Sequence, residues 1–154
     1  FAAKITGSGR RIRAFHHETV TSFAKYATVP VINGLTDYNH PTQALCDVFT
    51  MGEHKLPDKA LSDLTVVFIG DATNVCTSTA MIVTMLGGTF VHARPEAYSI
   101  ERQWPQVVDE VKQNQSRHGG TYIATTEVED AVQPTSKYVK AATTPIDFMG
   151  HPSK

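Results

Sequence analysis

Two side chains in one short stretch are placed to do chemistry together: His40 and Gln43, in the run Asp37-Tyr38-Asn39-His40-Pro41-Thr42-Gln43. Proline fits the first position of a helix, because the N–H it lacks would have had no partner there, and His40 stands just before it where a cap belongs. A helix opening at Pro41 therefore carries His40 and Gln43 together at its N-terminal end. That end has unpaired backbone N–H groups and a partial positive charge, so it favours a small anion. Both residues also suit a plain helix start, since histidine can serve only as a cap and glutamine at the third helical position commonly supports the first turn.

The elements that must position this pair follow from the pattern on either side. Val29 to Leu35 reads as extended, because Pro30 biases its predecessor to the β region and β-branched residues follow. Asn33-Gly34 within it reads as a turn signal. From Pro41 to about His54, Leu45, Val48, Phe49 and Gly52 recur at spacings of three and four and predict one apolar helix stripe. Upstream, residues 1 to 11 read as a flexible entry, Ile12 to Phe15 as a short apolar and basic segment, and Thr19 to Tyr26 as a helix with Val20, Phe23 and Ala24 on one face.

Downstream, Thr65 to Ile69 is a continuous apolar run of the kind found in strands covered on both faces. Val75 to Leu86 follows as a helix with Met81, Ile82 and Met85 as its apolar surface, then Thr89 to Ala93 as a strand. Ser99 predicts the cap of a third helix carrying Ile100, Trp104, Val107, Val108 and Val111 on one face, with Pro105 tolerated near its first turn. Thr121 to Thr125, a short helix from Glu127 to Val132, and Lys137 to Thr143 complete the alternation. Strand and helix alternate with short connections, which predicts an α/β fold with a parallel sheet flanked by helices. Ligands of such sheets sit beyond the carboxyl ends of the strands, so Gly70-Asp71-Ala72-Thr73-Asn74 is the second place to look for binding groups.

Composition removes several function classes. The net charge of −1 over 154 residues argues against nucleic acid as a partner, and no apolar run approaches the roughly 20 residues that span a membrane. Cys46 and Cys76 are too few for a disulfide framework or a thiolate metal site and suit a reducing compartment, the cytoplasm. His16 and His17 have no carboxylate or cysteine at metal spacing and read as surface residues. Gly70-Asp71-Ala72 lacks the spacing of a dinucleotide loop, Asp71 reads as a strand-end residue that organises its loop, and Trp104 reads as core.

The run VPVINGLTDYNHPTQALCDVFTMGEH, Val29 to His54, resembles the carbamoyltransferase family, and GLTD before HPTQ resembles its ornithine branch rather than its aspartate branch. In weaker form the similarity extends from about Ile12 to Gly150. The resemblance implies an enzyme that moves a carbamoyl group from carbamoyl phosphate to an amine. It implies that residues 1–40 end a carbamoyl-phosphate-binding domain, that 41–54 form an interdomain helix, and that 55–154 belong to an amine-substrate α/β domain. By the match, Arg13 contacts carbamoyl phosphate, His40 holds the carbamoyl oxygen and Gln43 its nitrogen. Those types suit the chemistry, because attack by an amine builds negative charge on oxygen and fixed donors stabilise it without reorganising. Phosphate is a good leaving group, so positioning suffices and neither a metal nor another cofactor is required.

On the amine side, Asn74 matches a residue that holds the amino-acid end of ornithine, while the surrounding GDATNVCTS also resembles putrescine carbamoyltransferases. Phe148-Met149-Gly150 is similar to a worn form of the SMG loop that closes over ornithine, and it places Met149 at the substrate. Phe148 replaces the serine there, and Thr144 stands where the family has an acidic residue. The family's STRTR and HCLP motifs do not occur in the sequence, so the expectation is a central portion of a carbamoyltransferase, inactive alone. Ornithine is the expected amine, with putrescine or a non-catalytic relative as alternatives, and the resemblance implies a homotrimer or a multiple of trimers.

Overall fold

The computed structural model describes residues 9–54, 57–132 and 138–142. Its strands form two parallel sheets. In the smaller, β1 (Arg10–Arg13) pairs with β2 (Val31–Leu35) through the intervening helix α1 (His17–Tyr26). Asn33 and Gly34 lie inside β2 and do not form a turn. The glycine is there for space: a Cβ at Gly34 would stand 2.9 Å from Cγ of Arg11 and 3.1 Å from Cγ of Arg13. On α1 the expected face is reduced to Val20, which is buried, while Phe23 is exposed.

Helix α2 (Pro41–His54) has the expected bounds but turns a different face inward. Ala44, Val48 and Met51 are buried, whereas Leu45 and Phe49 are 58% and 69% exposed. Val48 and Met51 join the core beneath α3 (Asn74–Met85), where each such side chain removed from water contributes about 1.5–3 kcal/mol.

The larger sheet has the order β5-β4-β3-β6, all parallel, with β3 at Thr65–Ile69, β4 at Thr89–Ala93, β5 at Thr121–Thr125 and β6 at Tyr138–Ala142. Val66, Phe68 and Phe90 face α3 and α5 (Pro105–His118), while Val67, Val91 and Ala93 pack on Ala131 of the short helix α6 (Val128–Ala131). This is the expected α/β arrangement of a parallel sheet flanked by helices.

The predicted third helix is two helices. α4 (Ile100–Gln103) is capped by Ser99, as expected, but Trp104 leaves helical geometry at φ −139°, ψ 61° and Pro105 begins α5. Proline has no N–H to continue the ladder and disfavours helical geometry in its predecessor, so it starts the second helix and does not sit within the first. At the other end of α5, Gly119 closes the helix in the left-handed conformation at φ 76°.

On α3 the buried surface is made of Cys76, Thr77, Ser78, Thr79, Ala80, Val83 and Thr84, and Met85 is exposed. The buried hydroxyls are satisfied along the helix itself, with Ser78, Thr79 and Thr84 donating to the carbonyls of Asn74, Val75 and Ala80 at 2.7–2.8 Å.

Candidate functional site

The chain leaves β2 through a tight hydrogen-bonded corner. Thr36 is fully buried, its N–H donates to the Asn39 carbonyl at 2.9 Å, and its hydroxyl meets the Asn39 N–H at 3.3 Å. The Asn33 amide donates to the side-chain oxygen of Asn39, and Asp37 accepts from the His17 N–H at 2.9 Å. The corner delivers His40 to the start of α2. There Nδ1 of His40 accepts the backbone N–H of Gln43 at 3.2 Å, so the imidazole caps the helix.

That cap decides which proton the ring carries. With Nδ1 used as the acceptor, the neutral ring holds its hydrogen on Nε2, and no group among the described residues pairs with that atom. Partial burial lowers the imidazole pKa below its ordinary 6.5, and the positive charge of Arg13 lowers it further. The result is a neutral N–H donor at neutral pH. Such a group polarises a carbonyl oxygen without bringing a full charge of its own.

Arg13 ends β1 opposite Leu35, and the stems of Arg11 and Arg13 flank Gly34. Both guanidinium charges act on His40. Arg11 stands two residues before Arg13 on the same strand, and that spacing was its signal in the sequence. Gln43 is exposed on the first turn of α2, and its Nε2 donates to Oδ1 of Asp47 at 2.8 Å.

The loop after β3 arrives from the other side. Gly70 turns the chain at φ 128°, and the buried ring of His92 on β4 meets the Gly70 carbonyl through Nε2 at 2.8 Å. Trp104 packs against the core and donates Nε1–H to the Ala72 carbonyl at 2.8 Å, while Asp71 accepts from Gln103 at 2.6 Å. The loop sits at the carboxyl end of β3, where the sheet order reverses between β3 and β6.

Asn74 opens α3 behind the cap residue Thr73. Its Nδ2 donates to the Thr36 carbonyl at 2.7 Å, and its own carbonyl accepts the His40 N–H at 3.2 Å. The His40 N–H also reaches Ser78 Oγ at 2.7 Å, and the fully buried Thr77 hydroxyl meets the Tyr38 carbonyl at 2.8 Å. Arg13, His40, Gln43 and Asn74 are thus brought to one place, with Asn74 directly behind His40. With Nδ2 engaged, the Asn74 amide presents Oδ1, an acceptor suited to an ammonium group. Met149 lies outside the described residues.

Thr36, Thr77 and Ser78 were not singled out in the sequence. The signal for Thr77 and Ser78 was the density of hydroxyl residues in Thr73-Asn74-Val75-Cys76-Thr77-Ser78-Thr79, on a helix otherwise destined for burial. His16 is exposed and lies 3.4 Å from Asp37, and His17 is held by Thr36 at 3.1 Å. Together with Glu18, Tyr38, Trp104 and Gln106 they line an open depression of about 450 Å³ whose Asp37 carboxylate is already engaged. Among the described residues no three His, Cys, Asp or Glu side chains gather as a metal would need, and no helix is long and apolar enough to cross a membrane.

Residues 4–53 match the family described as aspartate/ornithine carbamoyltransferase, carbamoyl-P binding domain, and residues 62–139 match the aspartate/ornithine carbamoyltransferase Asp/Orn binding domain. A putrescine carbamoyltransferase of Mycoplasma capricolum subsp. capricolum is 50% identical over 129 residues, 79% of this chain and 34% of the relative. An ornithine carbamoyltransferase of Methanopyrus kandleri is 50% identical over 100 residues, 64% of this chain and 31% of the relative. The solved ornithine carbamoyltransferase of Pyrococcus furiosus superposes with a TM-score of 0.73 at 37% identity, covering 81% of this chain and 38% of that one. The chain spans about a third of the length of the curated relatives it matches.

Proposed function

From the premise that the chain belongs to the aspartate/ornithine carbamoyltransferase family, we propose that it carries the carbamoyl phosphate site of an enzyme that transfers the carbamoyl group to the side-chain amine of ornithine. The observation that carries this reading is the His40 cap: one ring nitrogen is fixed as an acceptor, and the other is left as a neutral donor beside Arg13.

In this reading Arg13 pairs with the anion through its planar fork. His40 Nε2–H donates to the carbamoyl oxygen, on which charge grows as the amine attacks, and Gln43 Oε1 accepts from the carbamoyl nitrogen. The phosphate leaves as the new C–N bond forms, and the amine's proton is lost to solvent or phosphate. Asn74 Oδ1 accepts from the α-ammonium of ornithine, and Met149 is assigned to substrate binding by the resemblance alone. Residues 1–40 then end the carbamoyl-phosphate domain, 41–54 link it to the amine-substrate domain, and 55–154 belong to that second domain. A cytoplasmic trimer, or a multiple of one, is the expected setting.

Putrescine is the second reading. It is favoured by the match to the putrescine enzyme, 50% identical over 129 residues against 100 for the ornithine enzyme. Calorimetric titration with carbamoyl phosphate, followed by product assays with ornithine and with putrescine, separates the readings. Saturable binding that is lost in His40→Asn supports the site, and turnover favouring one amine names the substrate. An unaltered affinity in His40→Asn, or no binding by the unmodified chain, sinks the proposal.

A further inference from the structure

Asp47 stands one helical turn beyond Gln43, and its Oδ1 accepts from Gln43 Nε2 at 2.8 Å. An ionised carboxylate has no proton to give, so only the NH2 end of the amide can face it. The carbonyl end, Oε1, is thereby left as the group that Gln43 can offer elsewhere. Gln43 occupies the same first turn whose N–H is capped by His40.

A carbamoyl group and an acetyl group have nearly the same shape. Each is planar and carries a carbonyl oxygen, and they differ in whether NH2 or CH3 completes the carbon. An arginine on the phosphate and an imidazole on the carbonyl oxygen meet the same partners in both, so they do not distinguish them. Discrimination needs an acceptor aimed at the third substituent. An unrestrained glutamine could turn either end of its amide outward, and in one of the two settings its NH2 would oppose the carbamoyl NH2.

We propose that Asp47 is a positioning residue that fixes the polarity of the Gln43 amide and so makes the site prefer acyl phosphates bearing N–H donors over those bearing a methyl group. This rests on the reading of Arg13, His40 and Gln43 as the carbamoyl phosphate site. A site whose acceptor is left unpaired by the wrong ligand rejects it, which is how the preference arises. A Gln–Asp pair at this spacing also supports a helix. That purely structural role would weaken both ligands together and leave their ratio alone.

The test uses the 154-residue chain and two stable phosphonates that differ in one group, phosphonoacetamide (NH2) and acetonylphosphonate (CH3). The unmodified chain is expected to prefer the amide by about tenfold, the effect of one net hydrogen bond. In Asp47→Asn, whose amide offers both a donor and an acceptor, the preference should fall to within about threefold on the same scale. Asp47→Glu, which keeps an acceptor, should restore most of it. A full preference in Asp47→Asn overturns the role of Asp47 while leaving the site intact. Failure of the unmodified chain to bind either phosphonate overturns the carbamoyl phosphate reading, and the role of Asp47 with it.

Discussion

Two helix starts meet at the corner after β2, and their caps leave them in different chemical conditions. At α3 the cap is the Thr73 hydroxyl, which takes the Cys76 N–H at 3.4 Å, and the first turn is closed over by its neighbours. Cys76 and Thr77 are fully buried, and the carbonyls of Thr36 and Tyr38 are met by Asn74 and Thr77. At α2 the cap is an imidazole, and the first turn remains accessible at Gln43. A hydroxyl cap satisfies the helix and stops there. An imidazole cap satisfies it with one nitrogen and offers the other outward, its tautomer set by the cap itself. The buried start therefore acts as a clamp between the two halves of the described chain, and the accessible start acts as a donor site.

The comparison breaks most severely at the clamp. Thr77→Val keeps the shape of the buried side chain but leaves the part-buried Tyr38 carbonyl without its 2.8 Å partner, and should destabilise the fold by about 1–3 kcal/mol in urea unfolding. An unchanged midpoint would mean that the two halves are not held together there.

The next effect separates the two functions of His40. His40→Ala removes cap and donor and should lower stability by about 1 kcal/mol, whereas His40→Asn keeps a good cap and should stay within a few tenths. Both should lose carbamoyl phosphate binding. Binding retained in His40→Asn would show that the imidazole is not required, since the asparagine amide keeps a cap and an N–H donor.

The smallest effect is on pH dependence. Because the folded state holds His40 below 6.5, the unfolded state takes up the proton first as pH falls. The contribution of neutral His40 is therefore complete above about pH 6.5 and is lost as pH drops through its lower folded value. His92, lowered mainly by burial, acts in the same direction. NMR titration of the His40 ring should give a midpoint below 6.5, and His40→Asn should flatten part of the acid slope of stability. A midpoint above 6.5 would contradict the neutral donor.

Much of the fold was legible because backbone periodicity and composition are local. The strands at Thr65–Ile69, Thr89–Ala93 and Thr121–Thr125 have the bounds that their residue runs predict, and α2 runs from Pro41 to His54 as its opening proline and spacing require. Which face of α2 packs was not legible. Ala44, Val48 and Met51 form one apolar stripe and Leu45, Val48 and Phe49 an overlapping one, and only the approach of α3 selects between them. The same limit hid the surface of α3, where hydroxyl residues fill the core because their own helix and the Tyr38 carbonyl satisfy them. It also hid the split at Trp104, where proline geometry overrides a face that looks continuous.

Residue types and short-range spacing alone placed His40 and Gln43 on one helix turn, set α/β alternation, and carried the resemblance to carbamoyltransferases. The tertiary structure decided that Asn74 stands behind His40 and that Arg11 joins Arg13 beside it. The physical reason is one of range. Helix starts, strand runs and contacts one helical turn apart, such as His40 with Gln43 and Gln43 with Asp47, are set by neighbours within a few positions, whereas His40 with Ser78 and Thr36 with Asn74 are pairs 38 positions apart that only the folded chain brings within about 3 Å.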